Sequence, residues 1–121
     1  MFNNKKHIEV NGKEYTLTVK RSMFIELQNI VPELIKFGEN GGKNVTKEME
    51  VEASLKIYDN MDKIFYSMIK IEHPELTKEQ SDEIYEAFYN EYNDVDEKLI
   101  EFMQSSFTDG IPRENKKNLN W

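Results

Sequence analysis

The feature that most constrains this chain is Asn11-Gly12, set between the alternating runs Ile8-Glu9-Val10 and Lys13-Glu14-Tyr15-Thr16-Leu17-Thr18-Val19. Asn and Gly tolerate positive φ at both centres of a type I′ turn, whose twist matches that of the strands it joins. Residues 8–19 therefore read as a hairpin with a two-residue loop, pairing Val10 with Lys13 and Ile8 with Tyr15. This register gathers Ile8, Val10, Tyr15, Leu17 and Val19 on one face and Glu9, Glu14, Thr16 and Thr18 on the other. A lone hairpin is marginal in water. Its apolar face must be covered by the rest of the chain, which is patterned as helix.

Ser22 is placed to cap a helix with apolar positions Phe24, Leu27, Ile30 and Val31, which Pro32 should stop or kink by restricting Val31. Residues 32–37 read as a further helical turn or two, closed by Gly38, and residues 39–44 as a mobile polar connection. Thr46 is a cap. From there to Glu72 no Gly or Pro intervenes, and Ile57, Tyr58, Met61, Ile64, Phe65, Met68 and Ile71 recur at three and four. The spacing predicts one continuous helix about 39 Å long. After His73-Pro74, Thr77-Lys78-Glu79-Gln80 is a capping box that starts another helix at Lys78. Its stripe of Ile84, Tyr85, Phe88, Tyr89 and Tyr92 is half wet, because phenol oxygens want water or a partner while the rings want burial. Asn93 or Asp94 caps a last helix carrying Val95, Leu99, Met103 and Phe107, ended by Gly110 and Pro112.

The expected fold is therefore mainly α: an N-terminal β-hairpin followed by about four helices in one small domain, residues 1–110. Residues 111–121 have no periodicity and are expected to form a disordered tail ending in Trp121. A chain of 121 residues is long enough to bury roughly two-thirds of its unfolded surface in one core.

Charge narrows the function. Sixteen Lys and Arg against 23 Asp and Glu give -7, which disfavours generic binding to nucleic acid or to an anionic membrane. Residues 75–101 hold ten acids and two bases, or -8, so the rest of the chain sums to +1. That acidity serves either as a solvated face or as a docking surface for a basic partner. The absence of Cys removes disulfides, thiolate chemistry and Cys-based metal sites, and the N-terminal residues do not form a secretory signal. The expected location is cytoplasmic.

The two histidines, His7 and His73, stand in no metal-ligand spacing; His73 reads as a helix-end residue offering its ring to the last carbonyls. Asp94-x-Asp96-x-Lys98 lacks the Gly and the bidentate Glu of a calcium loop, and no phosphate loop or nucleophile elbow is present. No cofactor, metal or catalytic residue is expected, and the chain reads as a binding protein rather than an enzyme. Met61, Phe65 and Met68 are open to two uses, as core or as a supple groove for a helical client.

The run Val10-Asn11-Gly12-Lys13-Glu14-Tyr15-Thr16-Leu17-Thr18-Val19, a short basic link and Met23-Phe24-Ile25-Glu26-Leu27-Gln28 resemble the opening of tail assembly chaperones of long-tailed bacteriophages and prophages. The segment His73-Pro74-Glu75-Leu76-Thr77-Lys78-Glu79-Gln80, with an acidic aromatic helix and a short final one after it, is similar to the family's later part. Gln28 stands where an acid is commoner, and the Gly-rich 38–44 loop is longer than usual. The resemblance covers most of residues 8–107. It implies a non-enzymatic chaperone of viral morphogenesis, acting in the host cytoplasm and absent from the mature virion. Such a protein binds helical segments of the tape measure protein and keeps it soluble while the tail tube polymerises. It also implies homo-oligomers and, as further partners, a frameshift-extended form of the chain itself and the tail tube protein. For contact residues the expected set is Tyr85, Tyr89 and Tyr92, then Met61 and Met68. A rival reading is an acidic phage-encoded inhibitor that mimics nucleic acid and binds a basic host protein.

The frameshift makes a prediction at the nucleotide level. The codons of Asn115-Lys116-Lys117-Asn118 should contain an A-rich slippery stretch with a run of about six A's, overlapping a downstream frame. Sequencing the gene checks this, and Lys codons ending in G with no such run count against it.

Overall fold

The computed structural model describes residues 4–32 and 46–107. Strands β1 (Lys5–Val10) and β2 (Lys13–Thr18) form the expected antiparallel hairpin, with Val10 opposite Lys13 and Ile8 opposite Tyr15. Asn11 and Gly12 have φ of 52° and 78°, the left-handed pair that a type I′ turn requires. Ile8, Val10, Leu17 and Val19 are buried and Tyr15 is half-buried, so the apolar face is the one read from the sequence. Thr18 departs from it. Assigned to the polar face, it is only 2% exposed and its Oγ1 has no hydrogen-bond partner among the described residues. Leu17, Thr18 and Val19 are buried in succession, so β2 is enclosed on both faces where it runs into the first helix.

Helix α1 (Arg21–Ile30) begins two residues earlier than expected, with Lys20 at the N-cap and Ser22 inside the first turn, so Ser22 is not the cap. The core-facing row is Met23, Leu27 and Val31, spaced four apart; Phe24 and Ile30 are half-buried beside it. Val31 ends the helix by leaving the α region (φ −126°, ψ 82°), the region that the following proline disfavours. Residues 33–45 and 108–121, with the expected Gly38 stop, the 39–44 connection, the stop at Gly110 and the tail with Trp121, lie outside the described residues.

The continuous helix expected from Thr46 to Glu72 is two helices, α2 (Lys47–Asp59) and α3 (Met61–Ile69). Thr46 does cap the first, its hydroxyl accepting from the Met49 N–H at 3.2 Å. The break is at Asn60, whose side-chain amide donates to the Lys56 carbonyl at 2.8 Å while its backbone leaves helical geometry (φ −119°, ψ 20°). Asn competes in this way with the helix's own hydrogen bonds. Its carbonyl then accepts from the Ile64 N–H at 3.0 Å and starts α3.

Helix α4 (Lys78–Glu91) opens on the capping box: the Gln80 N–H donates to Thr77 Oγ1 at 3.1 Å, and the Thr77 N–H to Gln80 Oε1 at 2.9 Å. Helix α5 (Val95–Phe107) comes directly after Asp94, which sits at φ 62° with its carbonyl accepting from the Lys98 N–H. Val95, Leu99 and Met103 are buried as expected, joined by Phe102, while the side chain of Phe107 lies outside what is described.

At the centre is α3, packed between β2 and α4, with Met61, Ile64, Phe65, Met68 and Ile69 all buried. Helix α4 in turn packs on β1 and α5. His73 has a structural role, but a different one from that expected: its Nε2 accepts the Thr16 N–H at 3.0 Å on the free edge of β2, and its ring meets Tyr15 edge-on at 5.5 Å.

These placements separate packing from backbone strain. Phe65→Ala should cost about 3–5 kcal/mol, since it empties the centre of the core. Gly12→Ala should cost about 1–2 kcal/mol from its positive φ alone, because an added Cβ meets nothing within 4 Å. Denaturant melts compare them directly, and a Phe65→Ala loss no larger than that of Gly12→Ala would contradict this assignment.

Candidate interaction surface

The start of α4 is set by its cap and by Lys78, whose ammonium lies 3.0 Å from Asp62 Oδ2 on α3 and 2.5 Å from Asp82 Oδ1 one turn on. Desolvation alone would push the Asp62 carboxyl up, but the Lys78 hydrogen bond and charge outweigh it and hold the carboxyl below the usual range. The same two carboxylates overcome the desolvation of Lys78 and raise its pKa.

With α4 registered, its three tyrosines are assigned different tasks. Tyr85 is half-buried, its ring 5.4 Å from that of Phe65, and its hydroxyl donates to Asp96 Oδ1 at the start of α5. Burial first, and then this hydrogen bond and the Asp96 charge, drive the Tyr85 phenol well above its ordinary pKa. Tyr92 packs edge-on against Phe88 at 5.4 Å and its hydroxyl donates to the Glu9 carbonyl at 3.0 Å. The neighbouring Glu91 accepts the Asn11 N–H at 3.1 Å, so the end of α4 grips the hairpin turn through two consecutive residues. Tyr89 is 54% exposed and stacks obliquely on Tyr85 at 6.2 Å. Of the three, it presents the most ring to solvent.

Met61 and Met68 are a correction. Both are buried in α3, enclosed by β2, α2 and α4, so they fill the core and offer no surface to a client. Tyr58, placed in the same apolar stripe by the sequence, is 44% exposed. Partial burial and then the charges of Glu97 and Asp96 push its phenol pKa up, which puts the end of α2 in the field of the start of α5. Val51 and Leu55 are exposed as well, and sequence reasoning passed over them. Their signal was present: Val51, Leu55 and Tyr58 recur at four and three, opposite Ala53 and Ile57.

The acids of residues 75–101 divide in the same way. Asp82, Glu91 and Asp96 bond to other elements or to Lys78, whereas Glu79, Glu83 and Glu86 form an exposed row on α4 facing away from Phe88. A cleft of about 250 Å³ lies between β1 and the α4–α5 junction, lined by His7, Glu9, Phe88, Tyr92 and Lys98 among others. His7 Nδ1 is 3.1 Å from Thr16 Oγ1, and His73 Nδ1 lies 3.8 Å from Glu75, so among the described residues neither ring is hydrogen-bonded to a carboxylate. Among the described residues no cluster of three His, Asp or Glu could hold a metal ion, and no helix is long and apolar enough to cross a membrane. Comparison with protein-family profiles, curated proteins and solved structures yields no match.

Tyr85 gives this surface a pH signature. An unfolded tyrosine ionises near about pH 10, and the native Tyr85 phenol ionises higher. Its contribution is therefore complete below about pH 10 and is lost as pH climbs toward the native value. Thermal midpoints should fall more steeply above pH 10 in the wild type than in Tyr85→Phe; parallel profiles would refute the assignment.

Proposed function

We propose that this chain is a tail assembly chaperone of a long-tailed bacteriophage or prophage, which binds the tape measure protein in the host cytoplasm and leaves before the virion is complete. The reading is carried by the order of its motifs: an Asn-Gly-Lys-Glu-Tyr hairpin, the Met23–Gln28 helix, and Pro74-Glu75-Leu76-Thr77 opening an acidic aromatic helix. A mainly helical domain behind an N-terminal hairpin is consistent with it. The proposed action is reversible covering of apolar helical segments, with copies of the chain acting together. Tyr89, and the exposed parts of Tyr85 and Tyr92, supply contact area, while the outward carboxylates of α4 keep the complex in solution. A client helix with a basic flank suits such a surface, since complementary charge speeds encounter. In this reading the partners also include a frameshift-extended form of the chain and the tail tube protein.

The exposed row Glu79, Glu83 and Glu86 favours a second reading, an acidic inhibitor that mimics nucleic acid toward a basic host protein. One experiment separates the two. Co-expressed with fragments of the adjacent tape measure product, the chain should move at least one fragment into the soluble fraction and co-purify with it, and Tyr89→Ala should reduce the yield. If no fragment is solubilised, the chaperone reading fails. Recovery of a basic host protein instead, through binding that weakens steeply with salt, would favour the inhibitor.

A further inference from the structure

Helix α2 buries Ala53 and Ile57 and carries Val51, Leu55 and Tyr58 on the opposite side, 51%, 60% and 44% exposed. Their spacing aligns them in one ridge about 10 Å long. Single exposed apolar residues need no explanation, but three in register on the solvent side of one helix do. The flank beside them carries Glu48, Glu52 and Asp59, all exposed, and none is engaged by an ion pair or side-chain hydrogen bond with another described residue. Asp96 and Glu97 add negative charge at the Tyr58 end. On the other flank Lys47 is an exposed base near the N-terminal end of the helix.

We infer that the Val51–Leu55–Tyr58 ridge is a docking face for a short amphipathic helix of another protein, its apolar row lying along the ridge and its Lys or Arg side chains meeting Glu48, Glu52, Asp59 and Glu97. Charge selects this occupant over a second copy of the chain. Two ridges paired antiparallel would set the Glu48, Glu52 and Asp59 flank against itself; paired parallel, they would bring both Tyr58 ends together with their Asp96 and Glu97. Either arrangement places like charges together, which complementary interfaces avoid. The ridge is also too short to supply the roughly 1,200 Å² that a stable symmetric interface buries, whereas a single helix in a helix-on-surface mode needs only a few anchors at such spacings. The inference goes beyond the chaperone reading, because the ridge requires a basic amphipathic helix whichever protein provides it.

The test uses the full chain, isotopically labelled, and two synthetic capped peptides with Leu at i, i+3, i+4 and i+7, one filled with Lys and one with Glu. The Leu/Lys peptide should shift amides of α2 and the start of α5, and the Leu/Glu peptide should not bind. Leu55→Asp should weaken binding by about tenfold or more, as an apolar anchor becomes a charge in the contact. Glu97→Lys should weaken it several-fold, while Glu83→Lys, the same change of net charge on the far row of α4, should leave it within about twofold. Leu55 is exposed, so its variant should fold; Val51→Ser is the second variant if it does not. Equal losses for Glu97→Lys and Glu83→Lys, wild-type affinity in the ridge variant, or shifts centred on α4 would overturn the inference. So would contacts in the free protein between the ridge and residues 33–45, residues 108–121 or a second copy.

Discussion

The enclosure of α3 is the interaction on which the remaining structure depends. Phe65 has no exposed surface, and the rings of Tyr85 and Phe88 close over it at 5.4 and 6.2 Å. A hairpin offers one apolar face and no second layer, so β2 needs an apolar partner, and α3 supplies it while α4 covers α3 in turn. Polar contacts then position these layers. Lys78 ties the starts of α3 and α4, Tyr85 ties α4 to α5, and Glu91 with Tyr92 ties the end of α4 to the hairpin turn. Each is a long side chain reaching between elements, and none would find its partner without the packed layers beneath.

The break at Asn60 separates core from surface along what would otherwise be one helix. Were α2 and α3 continuous, Tyr58 and Phe65, seven residues apart, would project the same way, as would Val51 and Ile69, eighteen apart. Phe65 and Ile69 are fully buried, while Val51 and Tyr58 are exposed. With the helical register interrupted at Asn60, the buried row of α3 sits in the core while the outer row of α2 stays outside. Asp59-Asn60 holds the local signal for this, since both side chains compete with helical hydrogen bonding, but an unbroken apolar stripe obscured it.

Charge obeys the same division between fastening and display. Asp82, Glu91 and Asp96 hold elements together, and their neighbours Glu79, Glu83, Glu86 and Glu97 face water. The net charge of -7 therefore says less about this protein than the identity of the acids left facing outward. Those acids border exposed tyrosines and an apolar ridge.

Features set by neighbours in the chain were decided by the sequence: the Asn11-Gly12 turn and its register, the caps at Thr46 and Thr77, the halt before Pro32, and the apolar row of α5. Each depends on φ preferences, on a hydroxyl reaching an amide three residues away, or on helical periodicity, and none requires knowledge of the rest of the fold. Only the tertiary structure decided that Met61 and Met68 are core, that Tyr85 and Tyr92 are fasteners while Tyr89 is open, and that His73 completes the edge of β2. An apolar stripe states that a face will be covered, not by what, and a tyrosine or histidine is bound or free according to which distant group the packing brings within 3 Å.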